Sequence, residues 1–207
     1  GLDGIAEYKR VLESNLTDKD VTTSPDIFPI QNTWAGKFQT LISKAPSTQF
    51  SESDLADFYP IVKKDFYRNG GVNAVPLYMD AIAIIYNKKQ LADKGYAIPS
   101  PLWSDFQIQA QALTERDAQQ HMTSGGFSAY NPDSAQFYFE VLNLMMLQND
   151  VTMTDYTGKK SDLKTQTRAQ DALDFYTEFY KGRNNTWDET MKKDIAAFLE
   201  GNLAMYA

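Results

Sequence analysis

The chain has 207 residues, enough for one large domain or two small lobes around a real core. Hydrophobic residues make up 43% and charged residues 23%, the balance of a folded protein, and the net charge of −7 disfavours nucleic acid and anionic membrane as partners. No cysteine and a single histidine, His121, exclude disulfides, thiolate chemistry and Cys-based or paired-His metal centres; no metal or other cofactor is expected.

The first element is a short amphipathic helix, with Ile5, Tyr8, Leu12 and Leu16 at helical spacing. Ser24-Pro25-Asp26 then breaks into Ile27-Phe28-Pro29-Ile30, which reads as a buried strand. The loop Gln31-Asn32-Thr33 leads into a second helix whose apolar face is Trp34, Phe38, Leu41, Ile42 and Ala45. Ser53-Asp54 starts a further helix through Leu55, Phe58 and Ile61 that Pro60 interrupts. After Gly70-Gly71 come two strand-like pieces, Ala74 to Leu77 and Ile82 to Tyr86. A short helix through Leu91 stops at Gly95. Ser104 with Gln107 forms the signature of a capping box ahead of Phe106, Ala110 and Leu113.

Gly125 to Tyr130 reads as a strand, followed by an Asn131-Pro132-Asp133 turn. The helix from Ser134 to Gln148 is apolar nearly all round and is expected to be the most buried one. Thr157-Gly158-Lys159 marks a turn. Ala169, Ala172, Leu173, Tyr176, Phe179 and Tyr180 then give the cleanest helical period, stopped by Gly182. A last helix carries Met191, Ile195, Phe198 and Leu199 as far as Gly201, and Leu203 to Tyr206 closes the chain as a strand. Alternating helices and strands are the grammar of a wound α/β sheet. No run approaches the roughly 18 apolar residues of a membrane span. Gly1-Leu2-Asp3-Gly4 is not a signal peptide, so any signal segment is expected to lie outside this chain.

Four spaced motifs carry a resemblance: Ser24-Pro25-Asp26-Ile27-Phe28; Val75 to Lys88, ending in Tyr86-Asn87-Lys88; Pro101-Leu102-Trp103-Ser104-Asp105-Phe106; and Phe198-Leu199-Glu200-Gly201-Asn202-Leu203-Ala204-Met205. Taken in order, they resemble the extracytoplasmic solute-binding proteins of ATP-binding-cassette sugar importers, the class that includes maltodextrin-binding protein. In the third motif Leu102 replaces the family's Thr, and Phe106 stands where an acid often continues. The resemblance implies a helix-rich α/β fold with the two-lobe architecture of type II periplasmic binding proteins. It also implies a chain truncated at both ends, with residues 1–80 an incomplete first lobe and 81–207 most of a second. A segment of this kind is expected to self-associate and to bind saccharide weakly or undetectably by itself. The family's members are extracytoplasmic, periplasmic or lipid-anchored, and hand a saccharide or related small polar ligand to a membrane permease. The hinge would fall near Tyr78 to Ala81.

A saccharide site needs carboxylates, amides and rings converging in a cleft. Asp80 stands between two apolar strand pieces, where an acid has no packing role, and the resemblance puts a ligand-binding acid here, with Tyr78 beside it; a solvated hinge carboxylate is the alternative. Gln31, Asn32 and Thr33 follow a strand end and can bond hydroxyls, while Trp34 either stacks on a sugar ring or packs in the core. Tyr130, Asn131 and Ser134 form a second strand-to-helix junction, or equally an ordinary turn. Trp187, in the polar stretch Asn184 to Trp187, reads as ligand-facing, and Trp103 as structural. The 12 Tyr, 12 Phe and 3 Trp serve the core or such stacking surfaces.

Rival readings are a glycosidase-like enzyme using paired carboxylates such as Asp80 and Asp133, and a non-catalytic interaction domain. A nucleotide enzyme is disfavoured because Gly70-Gly71 and Gly125-Gly126 fit no phosphate-binding pattern.

Overall fold

The structure is a computed structural model, and it describes residues 2–18, 22, 24–130, 133–154 and 160–207. The chain divides into two compact units, Gly1–Met79 and Asp80–Ala207.

The first unit opens with α1 (Leu2–Thr17), which buries Leu12 against Trp34 and Phe38. The strand expected at 27–30 does not form, and Ile27 is 93% exposed. Pro25 and Pro29 each lack the N–H that a ladder requires, which removes the reason for a strand here. The long helix expected from Trp34 to Ala45 contracts to a 3-10 turn, Asn32–Trp34, running into α2 (Ala35–Phe38). A second 3-10 turn spans Ser53–Asp57, and α3 (Pro60–Phe66) begins on Pro60, where a missing N–H costs nothing.

A hairpin follows, β1 (Tyr67–Arg68) against β2 (Gly71–Val72). Its two-residue turn places Asn69 and Gly70 at φ of 52° and 75°, the positive values that a primed turn demands. The amide of Ala45 donates to the Val72 carbonyl at 2.8 Å, so tertiary pairing with β2 takes the end of the segment expected to be helical. The strand expected at 74–77 is irregular chain. Ala35, Leu55, Val62, Phe66 and Val72 form the unit's second apolar cluster.

The second unit is built on a four-stranded sheet with order β3-β6-β5-β4. Its strands are β3 (Ile85–Tyr86), β4 (Glu115–Arg116), β5 (Met122–Phe127) and β6 (Leu203–Tyr206). β5 and β6 run parallel with Gly125 opposite Leu203, whereas β3 is antiparallel to β6 and β4 to β5. Pairing with β4 draws β5 toward the N-terminus, so it starts at Met122 rather than Gly125.

Around the sheet stand α4 (Lys88–Asp93), α5 (Trp103–Leu113), α6 (Tyr138–Gln148), α7 (Thr167–Glu178) and α8 (Asp194–Leu199). Asn87 caps α4, its side-chain oxygen accepting from the amides of Lys89 and Gln90. The capping box expected at Ser104 is absent, because α5 already begins at Trp103 and puts Ser104 inside the first turn. α6 starts at Tyr138 rather than Ser134 and is buried on one face only. Val141, Met145 and Met146 are inside, while Phe139 and Leu147 are more than half exposed. The turn expected at Thr157-Gly158-Lys159 lies outside the described residues.

The core of the unit centres on Phe106, Phe127 and Phe179, with Phe127 edge-on to Phe106 at 4.9 Å and to Phe179 at 5.3 Å. Two glycines permit this packing. A Cβ at Gly126 would lie 1.7 Å from the carbonyl oxygen of Ala110 in α5, and one at Gly125 would lie 2.5 Å from the Trp187 ring. Trp187 itself is fully buried, against the expectation that it faces ligand.

Candidate functional site

In the first unit, Gln31, Asn32, Thr33 and Trp34 share one 3-10 turn, closed by the Trp34 amide donating to the Gln31 carbonyl at 2.9 Å. Gln31, Asn32 and Thr33 are exposed, and the Asn32 amide donates to the Asp65 carboxylate at 2.7 Å. Trp34 is only 6% exposed. Its ring lies 6.2 Å from Tyr8 and 6.3 Å from Phe38, with the Lys9 ammonium 5.2 Å from its centroid. The geometry therefore gives Trp34 the core role of its two readings. Tyr78 is 86% exposed in irregular chain.

Asp80 opens the second unit, exposed, in a stretch without regular structure up to β3, and its carboxylate accepts from the Ala81 amide at 2.8 Å. In wound sheets, ligands bind beyond the carboxyl ends of the strands. At that end of β5 the chain runs through buried Ser128 and Ala129 to half-buried Tyr130. The Tyr130 ring meets Tyr180 edge-on at 4.8 Å, and the Tyr176 hydroxyl donates to the Tyr130 carbonyl at 3.3 Å. Burial pushes the Tyr176 phenol well above its ordinary value, with Tyr180 and Tyr138 adding to the shift, so it stays a donor. Ser134 is buried, with its carbonyl accepting from the Asp194 amide at 3.0 Å. Asn131, between them in sequence, lies outside the described residues.

The structure thus gathers Gln31 to Trp34 in one turn, while Tyr130 packs against Tyr180 and Ser134 is held by the Asp194 amide. Three neighbours escape sequence reading: Asp65, Tyr180 and Asp194. Tyr180 is hidden in a periodic apolar face, and the two acids resemble ordinary surface carboxylates until long-range hydrogen bonds reveal them. A groove of about 380 Å³ at the entry ends of β5 and β6 is lined by Gln90, Lys94, Glu115, Ser124 and Asn202, and a 3.5 Å Lys94–Glu115 ion pair lies among these residues. It holds none of the residues singled out above.

Known proteins give this geometry its context. The family model described as bacterial extracellular solute-binding protein matches residues 6–207. Among solved structures, the sugar-binding protein MalE from Xanthomonas citri is 20% identical with a TM-score of 0.64, covering 84% of this chain and 44% of its own. A solute-binding protein from Thermotoga lettingae bound with α-D-tagatose is 17% identical with a TM-score of 0.69, covering 96% of this chain and 50% of its own. The cyclic α-maltosyl-1,6-maltose binding protein of Arthrobacter globiformis is 15% identical with a TM-score of 0.69, covering 97% and 49%. This chain therefore spans about half the length of the structures it matches, and it shares the helix-rich α/β fold of two-lobe type II binding proteins. A match over nearly every residue settles the assignment: the chain belongs to the bacterial extracellular solute-binding protein family.

Proposed function

We propose that the protein is the extracytoplasmic capture component of an ATP-binding-cassette importer and that it binds a sugar or oligosaccharide without transforming it. Residues 1–80 contribute to the first lobe and 81–207 to the second, closing about Tyr78 to Ala81, and a membrane permease reads the closed form. The family match over 6–207 carries this reading. Neighbours with tagatose, mannitol or maltotriose in hand support the ligand class. Asp80, Asn32 and Thr33 offer exposed hydroxyl-binding groups, joined by Gln31, Tyr78, Tyr130, Asn131 and Ser134; Trp34 is left to the core. Among the described residues no helix is long and apolar enough to cross a membrane, and the family is extracellular. Self-association belongs to the proposal, because Ile5, Tyr8 and Val11 leave an apolar stripe on α1 at 43%, 38% and 40% exposure; light scattering tests it.

The decisive experiment is thermal-shift screening of the full-length protein against maltose, maltotriose, D-tagatose and D-mannitol, followed by titration of Asp80→Ala in that protein. A carboxylate accepting from sugar hydroxyls contributes roughly 1.5–3 kcal/mol. Loss of Asp80 should therefore weaken binding about 10- to 100-fold with the melting temperature unchanged. Turnover of a glycoside, or binding that Asp80→Ala leaves intact, overturns the corresponding part of the proposal.

A further inference from the structure

Asp194 is only 3% exposed, and among the described residues it makes no ion pair. A buried carboxylate is costly unless its oxygens are hydrogen-bonded. Here backbone amides satisfy it. One oxygen accepts from the Gln136 amide at 2.8 Å across 58 residues of sequence, and the other accepts from the Ile195 amide at 2.8 Å. The Asp194 amide in turn donates to the Ser134 carbonyl at 3.0 Å. Asp194 thus holds residue 136 through its side chain and residue 134 through its backbone amide, just ahead of an α6 start whose N-cap, Phe137, supplies no side-chain hydrogen bond. At the other flank of the same junction, Tyr176 holds the Tyr130 carbonyl.

We infer that Asp194 is a positioning residue at the α6 end of the β5–α6 junction, fixing Ser134 and Gln136 against the start of α8. Its meaning for affinity rests on the capture reading above, since a loop already ordered before binding avoids the entropy of being ordered by ligand. The latch itself is a property of the free protein.

The test is residue-resolved amide exchange on the intact protein carrying Asp194→Ala or Asp194→Asn. In Asp194→Ala the Gln136 amide should exchange about 10- to 100-fold faster, the range spanned by one hydrogen bond to a charged acceptor. The Gly125 amide, bonded to the Asn202 carbonyl at 2.9 Å, should keep its protection. Asp194→Asn retains one acceptor oxygen and should restore part of the Gln136 protection; if Asp194→Ala does not fold, Asp194→Asn is read alone, with a local loss expected at Gln136 and none at Gly125. Unchanged protection at Gln136, or equal loss at Gln136 and Gly125, overturns the assignment. Titrating the unsubstituted full-length protein with maltotriose, D-tagatose and D-mannitol separates the two claims: failure to bind any of them counts against capture, whereas the exchange result alone decides the latch.

Discussion

Replacing Gly126 by alanine places a methyl group 1.7 Å from the Ala110 carbonyl oxygen, 2.5 Å from its carbonyl carbon and 2.9 Å from its Cα. All three are backbone atoms of α5, so no rotamer change relieves the overlap. Restoring an ordinary contact requires β5 and α5 to part by on the order of 1.5 Å. That movement also strains the Thr114 hydroxyl, which donates to the Ala110 carbonyl at 2.8 Å and accepts from the Gly126 amide at 3.1 Å. It loosens Phe106, Ala110 and Leu113, all buried in the core. Overpacking costs typically 1–3 kcal/mol and occasionally more, and a backbone clash belongs at the upper end, about 3 kcal/mol. At roughly 2–4 °C per kcal/mol for a chain of this size, the melting temperature should fall by about 6–12 °C. The same substitution at Gly4 meets nothing within 4 Å inside α1 and should stabilise by up to about 1 kcal/mol, since alanine is the better helix former. Far-UV circular dichroism through thermal and urea unfolding reads both. A Gly126→Ala variant melting with the parent would refute the close approach of α5 to β5.

Trp34→Ala should destabilise the first unit by about 3–5 kcal/mol in urea titration, as for other buried aromatics; a ring that served only to stack on ligand would leave stability untouched. Asp117 accepts from the His121 amide first, then from the His121 ring and the Gln119 amide, and these bonds hold its carboxyl below the usual range. A lowered folded-state value means that its contribution is complete above the unfolded carboxylate's titration and is lost as pH falls through the folded one. Amide protection in the β4–β5 hairpin, taken relative to the intrinsic exchange rate at each pH, should therefore fall on acidification in the parent, and Asp117→Asn should flatten that dependence; a pH response equal in both proteins would dismiss Asp117 as its source.

Much of the helical framework is legible in the sequence because a helix writes its repeat locally. Ala169, Ala172 and Tyr176 are spaced for one face, and α7 buries them all. Asn87 and Gly95 bracket α4 through cap chemistry and a φ of 82° that depend only on the residues themselves. The four family motifs likewise sit in local strings, so fold class and family follow from sequence alone. Strands are different, because a strand exists only where a partner supplies its hydrogen bonds. Ile27 to Ile30 has the apolar composition of a strand and no ladder, whereas Tyr67-Arg68 and Gly71-Val72 lack a strand's length and pair through the Asn69-Gly70 turn.

The candidate site divides the same way. That Gln31 to Thr33, Tyr130 and Ser134 stand outside the longer helices and strands follows from the breakers around them. The burial of Trp34 and Trp187, and the grip of Asp194 on Gln136, were set by residues distant in sequence. One-dimensional spacing determines which residues can share a helix face. Which ring is buried, and which carboxylate reaches which amide, depends on contacts that exist only once the chain has folded back on itself.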